Sequence, residues 1–214
     1  MIQIAHRGYS DLYKDNSKEA FLKAIDAKFD MIELDVQLSK DNVLIIHHDT
    51  FYKSNLLKNF TYEEIKQFDS DILTLSEFFH LIDTTSIKIY LDIKGNDLSI
   101  CPVLLDFLKG KNLKNIYIAS FNLYILEYLQ EYFPHVKYGI ITSNSFSPSN
   151  LLQINCSNIH FFCIHWEMIT KDVIDTLHER NILVYTYTCK NNDIFSFIKQ
   201  YNVDGIVTNY KIDI

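Results

Sequence analysis

Glu33 and Asp35 stand two residues apart in the run MIELDV, residues 31 to 36. On an extended strand that spacing sends both carboxylates to one face, where they repel each other unless a cation or a shared proton intervenes. A hard divalent cation with oxygen ligands, Mg²⁺ or Ca²⁺, resolves the conflict, and Asp92, from the later run IKIYLDI (87–93), is the natural third ligand. Zinc fits less well, because its structural sites favour His and Cys at short spacing. The alternative is a pair of solvated acids on an edge strand.

Other ionisable residues fall at comparable places. His6 and Arg7 follow IQIA (2–5), His48 and Asp49 follow VLIIH (43–47), Lys94 follows Asp92, and Ser120 ends NIYIAS (115–120). An imidazole gives and takes protons near neutral pH, so His6 and His48 are candidates for general acid and general base. His47 is the adjacent alternative to His48, and only one of two neighbouring strand residues should reach a given face. Arg7 and Lys94 are fixed cations suited to a phosphate, Arg through its fork and Lys as a point charge. A metal, two histidines and two cations match phosphodiester hydrolysis better than sugar or acyl chemistry.

These residues need a scaffold that gathers strand ends. Short apolar runs alternate with segments of helical period; VKYGII (136–141), IHFFCI (159–164), ILVYTYT (182–188) and GIVT (205–208) complete the strand candidates. The helical stretches include SKEAFLKAIDAK, TLSEFFHLIDT, CPVLLDFLKGK, NLYILEYLQEYF, TKDVIDTLHER and NNDIFSFIKQYN, with Thr74, Asn122 and Thr170 placed as N-caps. The alternation predicts a parallel sheet covered by helices, and about eight units in 214 residues predict a compact (β/α)8 TIM barrel. Its active site would lie at the C-terminal ends of the strands. A doubly wound sheet is the rival, without its Gly-rich first turn here. The link from Asp35 to Val43 is too short for a helix, so the runs MIELDV and VLIIH should form a hairpin. A turn centred between Lys40 and Asp41 would set Glu33 opposite His48. Gly8, Gly95 and Gly205 read as tight turns beside the site, and 51–73 as a loop with one helix around TYEEIKQF.

Composition narrows the partners. Apolar residues are 48% and charged ones 22%, with 20 Lys and Arg against 27 Asp and Glu, a net charge of −7. That is the make-up of a globular chain without a basic face for nucleic acid. No linker or repeat divides it, so a single domain over 1–214 is expected. Cys101, Cys156, Cys163 and Cys189 lack zinc-site spacing and read as free thiols. Neither a signal-peptide pattern nor an apolar run of membrane-spanning length is seen, so a cytoplasmic protein without a stable membrane anchor is expected, monomeric or dimeric.

Together the motifs resemble the glycerophosphodiester phosphodiesterase family, within the PLC-like phosphodiesterase superfamily. The family's opening His-Arg-Gly is His6, Arg7 and Gly8, and its Pro-Glu-Asn-Thr segment is Lys14, Asp15, Asn16 and Ser17. Glu-x-Asp-Val, a Thr, an Asp-Gly turn and His-Asp correspond to Glu33, Asp35, Val36, Ser39, Asp41, Asn42, His48 and Asp49, which selects His48 over His47. TLSEFF (74–79), LDIK (91–94), ASF (119–121), YTYT (185–188) and VDGIVTN (203–209) follow in order. The resemblance implies a TIM barrel that hydrolyses glycerophosphodiesters, such as glycerophosphocholine, to sn-glycerol 3-phosphate and an alcohol with a divalent cation. It implies His6 and His48 as acid and base, Glu33 and Asp35 as metal ligands, and Arg7 and Lys94 near the phosphate, with Ser120 beside them. Asp92 stands where the family usually has Glu, Tyr187 where a Trp commonly walls the substrate, and Asn209 where the last motif ends in Asp. A lipid-cleaving relative, phospholipase D-like or acting on phosphoinositides, and a non-catalytic phosphodiester sensor are the alternatives.

Overall fold

The computed structural model describes residues 1–52 and 54–213. Its elements run β1 (Ile2–Ala5), α1 (Lys18–Asp26), β2 (Met31–Leu38), β3 (Leu44–Ile46), β4 (Phe51–Tyr52), β5 (Asn55–Leu56), α2 (Tyr62–Phe68), β6 (Leu73–Thr74), α3 (Leu75–Leu81) and β7 (Lys88–Ile93). Then follow α4 (Ile100–Leu108), β8 (Ile116–Ser120), α5 (Leu123–Tyr132), β9 (Lys137–Thr142), α6 (Pro148–Gln153), β10 (Ile159–His165), α7 (Lys171–Glu179), β11 (Leu183–Cys189), α8 (Asn192–Ile198) and β12 (Gly205–Thr208). Strands β1, β2, β7, β8, β9, β10, β11 and β12 pair in parallel in that order, and β12 returns to β1. The predicted (β/α)8 barrel is therefore present, closed through Ile4 beside Val207 and Ala5 beside Thr208.

Alternation along the strands separates two apolar regions. Outward residues such as Ile32, Leu34, Leu91 and Ile118 pack under the helices, with Phe21, Phe78, Leu104 and Leu126 among their partners. Inward residues fill the barrel itself: Ile4, Met31, Tyr90, Tyr117, Phe161, Tyr185 and Val207 form a separate buried cluster. Phe161 lies at its centre, its ring 4.8 Å from that of Tyr185 and 5.4 Å from that of Tyr90. Gly139 makes room for it, because a Cβ there would sit 2.1 Å from the Phe161 ring.

The three predicted N-caps hold. Thr74 accepts from the Glu77 amide in a reciprocal capping box, Asn122 from Tyr124 and Thr170 from Val173. Helix α6 is a finding beyond the sequence reading: Ser147 caps it and Pro148 occupies its first turn, a start signal in a stretch with few apolar residues. The segment after β3 contains the expected helix, α2, and also the β4–β5 pair and β6, which runs antiparallel to β3.

The β2–β3 hairpin exists, but its register corrects the expected one. Val36 faces Ile46, Gln37 faces Ile45 and Leu38 faces Leu44, so partners sum to one more than predicted and Glu33 is not opposite His48. The cause is Asn42 at φ 61°, which makes a three-residue loop centred on Asp41. Ser39 closes that loop, its hydroxyl donating to the Asp41 carboxylate and accepting from the Val43 amide. Gly205 also departs from expectation: it begins β12, against the Tyr185 ring and Ile2, where a Cβ would approach within 2.8 Å.

Candidate active site

Each barrel strand delivers its last inward residues to the C-terminal mouth. Glu33 and Asp35 sit beside Tyr90 and Asp92 in the β2–β7 register. One ligand oxygen from each of Glu33, Asp35 and Asp92 lies within 4.8 Å of the others. All three residues are buried. Their cavity, of about 120 Å³, is also lined by His6, Arg7, His48, Lys94, Phe121 and Tyr187. The structure thus brings together every predicted site residue except Ser120. That hydroxyl donates to the Ile93 carbonyl and accepts from the Asn122 amide, so Ser120 braces the turn after β8. Its neighbour Phe121 reaches the cavity instead, with its ring edge-on to Tyr187 at 6.2 Å.

The turn after β1 is built to hold the acids in place. Arg7 adopts φ 56°, a conformation that costs a side-chain-bearing residue energy. This turns its amide onto Glu33 Oε2 at 2.8 Å. Gly8 follows at φ 80° with α1 so close that a Cβ would lie 2.7 Å from the Ala20 carbonyl carbon. Asn16 then donates its backbone amide to the Arg7 carbonyl at 2.9 Å and its side-chain amide to Asp35 Oδ2 at 2.8 Å.

Charge balance within the cluster is uneven. Asp35 takes both cations, Lys94 Nζ at 2.9 Å and Arg7 Nε at 3.2 Å. Burial alone would raise its carboxyl, but Lys94 and Arg7 outweigh that and hold it below the ordinary range. Asp92 has Lys94 at 2.5 Å and is still pushed up to about 6, first by burial, despite Lys94 and with Asp35 adding to the rise. Glu33 is pushed well above the carboxylate range by burial and by Asp35 and Asp92. Two of three carboxyls are therefore short of positive charge, and Asp92 Oδ1 is buried without a hydrogen-bond partner. An all-oxygen cluster in that condition fits a divalent cation.

The histidines differ in setting. His6 Nδ1 lies 2.7 Å from Asn209 Oδ1, and its ionisation is lowered to about 4 by burial and by Arg7. His48 is half-exposed, with Nδ1 2.8 Å from the Asp49 carboxylate. His47 does not line that cavity: its ring meets Tyr52 edge-on and faces an adjoining hollow that it shares with Arg7, His48, Asp69 and Asp71. Beyond His48, Lys94 and Phe121 a groove of about 970 Å³ opens between Lys58 and the loop Asn96–Ser99. The four cysteines are free thiols, and Cys163 lies in the cavity wall.

Phe121 stood in the ASF motif without a role, because an exposed aromatic after a strand gives no polar signal. The partnership of Asn209 with His6 spans 203 residues and only barrel closure creates it.

The model of the glycerophosphoryl diester phosphodiesterase family matches residues 6–212. A glycerophosphodiester phosphodiesterase of Caldanaerobacter subterraneus is 29% identical over 96% of this chain and 93% of its own. One from Bacillus altitudinis is 27% identical, again over 96% of this chain and 93% of its own. The crystal structure of a glycerophosphodiester phosphodiesterase from Thermotoga maritima superposes with a TM-score of 0.81 at 27% identity, covering 98% of this chain and 94% of that one. An Oleispira antarctica phosphodiesterase, solved with the product sn-glycerol-3-phosphate, shares the fold at a TM-score of 0.87 and 19% identity, with 98% and 93% covered.

Proposed function

Since the chain belongs to the glycerophosphoryl diester phosphodiesterase family and is an enzyme of that class, we propose that it hydrolyses small glycerophosphodiesters, glycerophosphocholine among them, to sn-glycerol 3-phosphate and an alcohol. The observation that carries this reading is the meeting of the Glu33, Asp35 and Asp92 cluster with His6, His48, Arg7 and Lys94 in one cavity. The product complex of the Oleispira antarctica enzyme supports the substrate class.

In this reading Glu33, Asp35 and Asp92 hold one divalent cation, Mg²⁺ or Ca²⁺, which supplies Lewis acidity toward the phosphoryl oxygens when bound. Arg7 and Lys94 add fixed positive charge where the phosphoryl oxygens gain negative charge. One imidazole takes the proton of the attacking oxygen as its bond to phosphorus forms. The other gives a proton to the departing alcohol oxygen as its bond to phosphorus breaks. Phe121 and Tyr187 wall the substrate, and the groove beyond Phe121 receives the alcohol. A single domain over 1–214 goes with this reading, supported by the direct pairing of the first and last strands. Cytoplasmic action on a soluble substrate goes with it too; among the described residues no helix is long and apolar enough to cross a membrane.

The test is release of glycerol 3-phosphate from several glycerophosphodiesters, with and without EDTA, by wild type and His48→Ala. Turnover should vanish with EDTA and fall roughly 10²- to 10⁴-fold in the variant, the usual worth of an acid–base group. Hydrolysis surviving both would overturn the reading, and metal-dependent binding without turnover would point to a sensor.

A further inference from the structure

We propose that Asn209 is a positioning residue for His6: its side-chain amide oxygen accepts from the imidazole Nδ1–H and so leaves Nε2 as the bare nitrogen of the neutral ring. The contact is 2.7 Å, and an amide oxygen has no proton to give, so the ring nitrogen must donate. The two residues directly follow the neighbouring strands β1 and β12, and their backbones are tied. The His6 amide donates to the Thr208 carbonyl at 3.0 Å, the Asn209 amide to Cys189 at 3.2 Å, and the Asn209 carbonyl accepts from Asp11 at 3.0 Å. Neither partner can drift without breaking barrel-end hydrogen bonds, so the pairing follows from the fold rather than from a free surface rotamer.

The charge of the acceptor is the informative detail. His48 is oriented through the same ring nitrogen by the Asp49 carboxylate. His6 is oriented by a neutral amide. Beside three buried acids and two cations, an amide fixes a ring direction without adding a further negative charge next to His6. The neutral ring held this way can accept a proton at Nε2 and has none to give there. Resting on the hydrolytic reading above, this makes His6 the acceptor: the O–H bond of the attacking group breaks, the Nε2–H bond forms, and Nδ1–H stays on Asn209. The isolated neutral ring favours the opposite tautomer, with the proton on Nε2, so without Asn209 the working nitrogen would be capped.

Long-range ¹⁵N–¹H spectra of the histidine rings, in EDTA and in saturating metal, test this without any turnover. The His6 signals are identified by their loss in His6→Gln. Wild type should show the Nδ1–H tautomer at His6, and Asn209→Ala should shift it mostly to Nε2–H. In the same variant kcat should fall by roughly 10²-fold, toward the lower end of what acid–base catalysis contributes, with KM changed by less than about threefold. Asn209→Asp, which can still accept, should restore the Nδ1–H tautomer and at least about tenfold of the lost kcat. An Nε2–H tautomer in the wild type, or an unchanged one in Asn209→Ala, would overturn the proposal. The expected tautomers in a protein that turns over no glycerophosphodiester would uphold the Asn209 contact and overturn the hydrolytic reading instead.

Discussion

The lower and upper halves of the barrel interior are built from the same strands and obey opposite rules. Below, Met31, Tyr90, Phe161 and Tyr185 fill the space with apolar surface, and each added contact stabilises the fold. Two to four residues higher on β2 and β7, Glu33, Asp35 and Asp92 bury carboxyls that burial alone would penalise in their charged form, and Lys94 and Arg7 compensate only in part. The lower half is complete as a protein core. The upper half leaves Glu33 and Asp92 short of positive charge, an imbalance that a bound cation would relieve.

Three substitutions probe that contrast. Phe161→Ala should cost the most, about 3 to 5 kcal/mol, because a fully buried ring leaves a cavity its neighbours cannot fill. Its penalty in chemical denaturation should be nearly the same from pH 5 to 8; a strong pH dependence would blur the two regions. Asp35→Asn, measured in EDTA, should cost roughly 2 to 4 kcal/mol near neutral pH by leaving buried cations short of a partner. Because the Asp35 carboxyl is held low, that cost should be fully present above its ordinary range and fade as pH falls through its folded value. Glu33→Gln should have the smallest effect and the opposite sign, a gain on the order of 1 kcal/mol in EDTA above neutral pH. Glu33 is raised on folding, so its contribution is fully favourable only below its unfolded value and is lost as pH rises. Calorimetry should show that the variant no longer gains stability on adding Mg²⁺ or Ca²⁺. A Glu33→Gln protein that is weaker in EDTA and still stabilised by metal would remove the distinction between the halves.

What the sequence disclosed follows the range of the interactions. The barrel could be read because apolar strands and capped helices alternate, and Thr74, Asn122 and Thr170 cap through contacts two or three residues away. The acids could be read because strand alternation carries Glu33 and Asp35 to one side. The hairpin register could not be placed from composition, since it turns on a single backbone angle at Asn42; Asp41-Asn42 was nevertheless a usable signal for a left-handed residue. Ser120 could not be placed from sequence because a hydroxyl at a strand end suits a ligand and a turn equally well, and here it bonds within the turn. Phe121 and the Asn209 contact require the closed barrel, which brings together parts of the chain that no local pattern links.

The hairpin outside the barrel has one more effect. A closed barrel has no free strand edge, but β3 and β6 continue the sheet beyond β2 and reopen one. Unpaired strand edges invite other chains to add to them. Here the outermost strand is two residues long, and Thr74 in it already caps the helix that follows. The sheet therefore ends almost as soon as it leaves the barrel, which leaves little edge for another chain to pair with.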